Sequence, residues 1–257
     1  MKLDKKTKEA LFEFLLMLGD NRLILGHRLS EWCGHAPIIE EDIALGNIAL
    51  DLIGQSSAFL NFAAVVEDKG KTEDDLAYFR NETEFKNLQL VEQPNIDFAY
   101  TIVRQYFFDV YSNLTLESLT SSPIKELAGI SSKSLKENKY HLRHSKQWLL
   151  RLGDGTDTSN LKTQNAVDNL WRFTKEIFEH NETENILIDK GKIPETVNLS
   201  EQWYDLINKT FEEAKIKIPE NNSDFSSGSR NGFHSEYLGH LLAEMQILAR
   251  SYPGAKW

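Results

Sequence analysis

The chain has 257 residues, 26% of them charged, with 29 Lys and Arg against 39 Asp and Glu and a net charge of -10. That length leaves room for a large core, and the acidic balance disfavours nucleic acid, whose phosphates need a basic footprint. A single cysteine, Cys33, excludes an internal disulfide framework and a cysteine-rich metal site, so a reducing cytoplasm is the expected compartment.

Near the N-terminus the apolar run at 10–18 is interrupted by Glu13 and followed by no small-residue cleavage site, so it does not read as a signal peptide. No stretch is expected to cross a bilayer. From Thr7 to Trp32, Leu11, Leu15, Leu18, Leu25 and Leu29 recur at the three-four spacing of an amphipathic helix. Cys33-Gly34-His35-Ala36-Pro37 then reads as a helix-to-helix turn. The second helix, Glu40 to Val66, has acidic residues in its first turn, where the helix dipole favours them, and a stripe of Leu45, Ile48, Leu52, Gln55, Phe59 and Phe62. A short helix is expected over Asp74 to Asn81.

The third long helix, Phe98 to Leu119, aligns Phe98, Ile102, Gln105, Asp109, Ser112, Leu116 and Leu119, with Asp109 its inward carboxylate. The fourth opens at Ser122-Pro123, with proline at a helix start, and stops near Leu152. A fifth is expected from Thr163 to His180, using Val167, Leu170, Trp171, Thr174, Ile177 and Phe178. The stretch 181–198 reads as loop with short pieces. Another helix fits Ser200 to Lys215, through Trp203, Leu206, Ile207 and Phe211. Pro219 to Gly232 reads as a polar loop, mobile or ordered by a partner. The last helix, His234 to Arg250, is expected to bury Tyr237, Leu238, Leu241, Leu242, Met245 and Leu248. With no strand-like alternation, the expected fold is all-α, a four-helix bundle core with additional helices in one domain, 1–257.

The chemistry turns on the fourth helix. Four-helix carboxylate proteins hold two irons with a Glu from each of two helices and a Glu-x-x-His pair from each of the other two. In Lys136-Glu137-Asn138-Lys139-Tyr140-His141 the residue three before His141 is Asn138. Steps of three and four through that pair give Leu127, Ser131, Ser134, Asn138, His141, Ser145, Trp148 and Leu152, an uncharged inward row. Lys133, Glu137, Tyr140, His144 and Gln147 form the outward one. On the second helix the matching positions would be Leu52 and Gln55. A buried His or Asp in such a place is also met as a hydrogen-bonded core residue.

Several segments together resemble the structural, PaaC-type subunits of bacterial phenylacetyl-CoA epoxidases over nearly the whole chain. They are Glu31-Trp32-Cys33-Gly34-His35-Ala36-Pro37, Asn47-Ile48-Ala49-Leu50-Asp51-Leu52-Ile53-Gly54-Gln55, Leu90-Val91-Glu92-Gln93-Pro94-Asn95 and Arg104-Gln105-Tyr106-Phe107-Phe108-Asp109. Tyr140-His141-Leu142-Arg143, Leu170-Trp171-Arg172-Phe173-Thr174, His234-Ser235-Glu236-Tyr237-Leu238-Gly239-His240 and Pro253-Gly254-Ala255-Lys256-Trp257 complete them. The resemblance implies a non-catalytic, ferritin-like subunit that pairs with a homologous catalytic subunit, the holder of the di-iron site, in an enzyme adding oxygen to the ring of phenylacetyl-CoA. It further implies that the catalytic subunit's ligand positions fall here on His27, Leu52, Gln55, Asp109, Asn138 and His141. No cofactor is then expected on this chain, neither nucleic acid nor membrane is a partner, and isolated chains are expected to form homodimers. Tyr252 and Trp257 are candidate interface aromatics. The alternative is a catalytic di-iron oxidase with a rearranged set, Asp109, Glu137, His141, His144, Glu236 and His240.

Overall fold

The computed structural model describes residues 3–179, 181–195, 198–219 and 225–255, and among them there is no strand. In chain order the α-helices are α1 (Lys5–Ser30), α2 (Ile39–Glu67), α3 (Glu73–Tyr78), α4 (Gln89–Glu92) and α5 (Phe98–Leu119). There follow α6 (Lys125–Gly153), α7 (Asp157–Leu170), α8 (Glu182–Asp189), α9 (Leu199–Glu213) and α10 (Glu236–Ser251). The expected all-α class stands. The described residues divide into two compact units, one of 3–94, 181–192 and 228–255, the other of 95–179, 193–195, 198–219 and 225–227.

In the first unit α1 and α2 form a long antiparallel hairpin. Asp4 caps α1 by accepting from the Thr7 amide at 2.9 Å. In the turn after α1, Gly34 takes φ +80° and its amide donates to Asp42 at 2.7 Å. Antiparallel packing follows from the small residues of α1, since Gly19 lies on Leu60 and Phe59 while Gly26 lies on Ile53, Ala49 and Leu52. A Cβ at Gly26 would come within 3.2 Å of the Ala49 carbonyl oxygen, so glycine sets the helix separation there. Leu11, Leu15, Leu18, Leu25 and Leu29 are all buried, as their spacing required. Contrary to expectation, α2 is by length and composition apolar enough to span a bilayer; half of that window is buried within the protein.

Around the hairpin, α8 packs on α1 and α10 on α3. Thr72 and Asp75 form a reciprocal capping box at the start of α3, which ends at Tyr78 rather than Asn81. Leu238, Leu241 and Leu242 of α10 are buried, but Tyr237 and Leu248 are exposed, contrary to expectation. The buried place one turn beyond Leu242 goes to Gln246, whose amide donates to the carbonyls of Ala77 and Arg80. Asp20, buried in α1, holds Arg80 through both guanidinium Nη atoms and accepts the Lys86 amide at 2.9 Å.

In the second unit α5 and α6 are also antiparallel. Phe98 at the start of α5 meets Trp148 near the end of α6 edge-on at 5.0 Å, while Asp109 meets Asn138 and Ser145. The expected single helix from Thr163 to His180 divides. Thr156 caps α7 earlier, α7 ends at Leu170, and two 3₁₀ turns follow, with the Thr174 hydroxyl donating to the Trp171 carbonyl at 2.8 Å. That break delivers Trp171 to a cluster with Phe107, Trp203 and Phe211. Trp203 Nε1 donates to the Phe107 carbonyl at 3.0 Å. Leu206, expected inward, is exposed, and Thr210 takes the interior place and receives the Tyr106 hydroxyl at 2.8 Å. Of the loop Pro219 to Gly232, residues 220–224 lie outside the described residues, as does Trp257.

Candidate functional site

The inward row of α6 is where the periodicity placed it. Leu127, Ser131, Ser134, Asn138, His141 and Ser145 are all buried, and Lys133, Lys136 and Tyr140 are exposed. Beyond Ser145 the row departs from expectation, passing through Leu149 and Gly153 rather than Trp148 and Leu152. A strict three-four alternation averages 3.5 residues per turn and drifts against a straight helix of 3.6, so two successive steps of four bring the row back. Gly153 is required at the end, because a side chain there would run into the Ala214 carbonyl.

Asp109 on α5 is the centre of this surface. It is fully buried; Gln105 Nε2 donates to its Oδ1 at 2.7 Å, and Ser145 Oγ to its Oδ2 at 2.6 Å. Asn138 Nδ2 reaches the Asp109 main-chain carbonyl at 3.0 Å. Burial pushes the Asp109 carboxyl up to about 8, against the opposing hydrogen bonds from Ser145 and Gln105. At neutral pH this side chain is therefore mostly the uncharged acid, in a row whose other members are hydroxyls, amides and one imidazole.

In the first unit the two residues expected at a second Glu-x-x-His pair are Leu52, fully buried, and Gln55, also buried. Gln55 Oε1 accepts from Arg22 Nε at 2.9 Å, and Arg22 Nη1 donates to the Leu18 carbonyl at 2.8 Å. The guanidinium lies 4.9 Å from the centre of the Phe59 ring. Arg22 is a buried cation that the apolar stripe did not single out, yet it left a mark: in the sequence of inward leucines 11, 15, 18, 25 and 29, residue 22 is the missing member. His27 is half-buried, and burial holds its imidazole below the usual range, favouring the neutral ring.

These donors do not fit a pair of iron ions. Two divalent irons bring four positive charges, which a water-poor site must balance with carboxylates. Of the positions that the resemblance assigns, Leu52 is hydrocarbon, Gln55 is an amide bonded to a buried cation and Asn138 is an amide, which leaves Asp109 as the carboxylate among them. Of the rearranged set, Glu236 and His240 are exposed on α10, and the His144 ring stacks on Tyr140 at 6.4 Å. Among the described residues no three or more His, Cys, Asp or Glu side chains gather as metal ligands.

A buried charged cluster was not anticipated. Glu92 accepts from Asn87 Nδ2 at 2.9 Å, from the Ser235 amide at 2.9 Å and from its hydroxyl at 2.6 Å, and it pairs with His234 Nδ1. His234 Nε2 faces the Phe85 carbonyl at 3.0 Å, so both ring nitrogens look at acceptors. Burial opposes charge on this imidazole, but the Glu92 hydrogen bond and charge outweigh it and raise its pKa. The cluster ties the segment before α10 to the segment before α5, a structural joint that only the adjacency of His234 and Ser235 in sequence could have hinted at.

Residues 1–257 match the model of a family described as phenylacetic acid catabolic protein. The chain is also 46% identical over 244 residues to a protein of Escherichia coli (strain K12) that is named as one of the subunits of 1,2-phenylacetyl-CoA epoxidase, covering 95% of this chain and 98% of that one.

Proposed function

The chain belongs to the phenylacetic acid catabolic protein family, and from that premise we propose that it is the structural subunit of a multicomponent phenylacetyl-CoA epoxidase. In this reading it pairs with and stabilises a homologous catalytic subunit, which carries the di-iron centre, and works in the cytoplasm during aerobic phenylacetate degradation. The observation that carries the reading is Arg22 on Gln55, with buried Leu52 one turn away. A fixed guanidinium bonded at a ligand position raises the cost of bringing a metal cation there, because like charges in a low-dielectric interior repel strongly.

The neutral row around Asp109 supports the same reading. Gln105 and Ser145 bond to the Asp109 carboxyl and Asn138 to its main chain, as a packed framework requires, while Gln105 Oε1, Asn138 Oδ1 and Ser131 Oγ have no protein partner among the described residues. Retaining the all-helical frame while losing the ligands preserves the shape that a homologous subunit would dock against.

The test is reconstitution. Catalytic and reductase components are assayed for oxygenation of phenylacetyl-CoA with and without this chain. Turnover and a stable complex that both require this chain are expected; full turnover by the other components alone would overturn the assignment.

A further inference from the structure

The outward face of α6 carries charge of one sign. This helix has seven Lys and Arg against two Glu, in a chain whose net charge is -10. At 100° per residue, Lys136, Lys139, Arg143 and Lys146 fall within about 80° of one another along roughly 15 Å, on the side opposite Asn138, His141 and Ser145. Glu126 and Glu137 lie outside that arc. Lys136, Lys139 and Arg143 are exposed, and none of the three forms a salt bridge with a described residue, whereas Lys146 reaches Glu213 at 4.0 Å. Several cations elsewhere are met by carboxylates, as Lys5 is by Glu9, Lys8 by Asp68, and both Lys69 and Lys71 by Glu67.

This row works against its own helix. Lys133, Lys136, Lys139, Arg143 and Lys146 follow one another at steps of three or four, and like charges at those spacings repel and destabilise a helix. An opposite charge from outside removes the repulsion. Beside the row Tyr140 is 42% exposed, with the Arg143 guanidinium 5.5 Å from its ring centre and the His144 ring stacked at 6.4 Å. Tyr and Arg are enriched among the residues that anchor interfaces, and here they are held against each other before a partner arrives. A helix face is convex, whereas small molecules are held in concavities, so the partner is a macromolecule. Nucleic acid, with its continuous charge, would run on to exposed Asp154 and Asp157 beyond the C-terminal end of the row and Glu213 beside it. A short acidic row on a protein avoids them. We propose that the outward face of α6 is a docking surface for a protein that presents a helix with carboxylates at the matching three-four spacing and an apolar side chain against Tyr140. Nothing in it depends on the proposed role as an epoxidase subunit.

Size sets the strength. Four cations on roughly 15 Å of helix make a contact below the span of standard stable interfaces. The complex is accordingly transient, with a dissociation constant on the order of 10 μM at low ionic strength. Its attraction is electrostatic, so it weakens as salt screens the row.

The probe is a dye-labelled helical peptide of about 20 residues with four Glu and a central Leu on one face, titrated with the full chain and read by fluorescence anisotropy. A control peptide of identical composition has its Glu spread around the helix. The striped peptide is expected to bind roughly tenfold more tightly than the control at about 50 mM salt, and to lose roughly tenfold in affinity by about 500 mM. Lys139→Glu sets an acid four residues before Arg143, so it should weaken binding by roughly tenfold or more while the melting temperature holds or rises. Lys136→Gln combined with Lys139→Gln, which only removes charge, should weaken binding as well, and Tyr140→Ala should weaken it with the salt dependence unchanged. Equal binding of the two peptides, no binding at about 50 mM salt, or binding indifferent to both sets of charge substitutions would each overturn the proposal. So would tighter binding of a single-stranded oligonucleotide, which would make the face a nucleic-acid surface.

Discussion

Replacing Asp109 with Asn tests the polar row most sharply. The carboxyl rises from an ordinary 3.8 to about 8 in the folded protein. Between those values the native state holds a proton that the unfolded chain has released, so this group's contribution is full below about pH 3.8 and is lost as pH rises towards 8. At pH 7 the loss amounts to about 4 kcal/mol, taking about 1.36 kcal/mol per unit of difference. Asparagine has the same shape and never ionises. It can still accept one of the two hydrogen bonds from Gln105 and Ser145, and rearranging the other costs about 1 kcal/mol. The variant is therefore expected to be more stable than the parent at pH 7 by roughly 2–3 kcal/mol, and its stability should fall less steeply between pH 4 and 8. Urea unfolding at several pH values across that range reads both. An Asn variant that is several kcal/mol less stable at pH 7 would refute the reasoning, since it would mean that Asp109 is ionised and compensated by a cation.

Other positions give further tests. Arg22→Met deprives Gln55 of its guanidinium donor and should cost at least about 1–3 kcal/mol in urea unfolding, whereas Gln55→Glu, which places an anion beside the buried Arg22, should change stability by less than about 1 kcal/mol, since desolvation offsets the attraction. Asp20→Asn leaves the buried Arg80 guanidinium without its carboxylate and should cost about 3–5 kcal/mol, measured in the same way. His234 has a raised pKa, so the stability it lends is complete below its unfolded value near 6.5 and is lost as pH climbs through the folded value. Amide exchange in the first turn of α10 should quicken beyond its intrinsic rate as pH climbs above about 6.5, and His234→Gln should abolish that extra dependence.

What sequence could and could not disclose follows from what each feature depends on. The long helices were legible because burial of one face imposes a 3.6-residue period, and Leu11 to Leu29, Leu45 to Phe59 and Leu127 to Ser145 show it plainly. Asp109, Asn138 and Gln55 were legible as inward polar residues for the same reason. Their partners were not, since Ser145 on Asp109 and Arg22 on Gln55 depend on which helices face each other and at what height. Tyr237, Leu206 and Leu248 were misplaced because apolar character does not oblige a residue to be buried, and Thr210, which accepts from Tyr106, and Gln246, which donates to Ala77, took the interior instead. The break at Leu170 escaped because Trp171 and Thr174 keep a helical spacing across two 3₁₀ turns.

The central claim is that this chain shapes an oxygenase without holding its metal. Purified protein is loaded with ferrous iron anaerobically, desalted and assayed for iron per chain. The account predicts iron far below stoichiometry, unchanged by Asp109→Asn. About two irons per chain, the number a di-iron bundle holds, lost on that substitution, would contradict it.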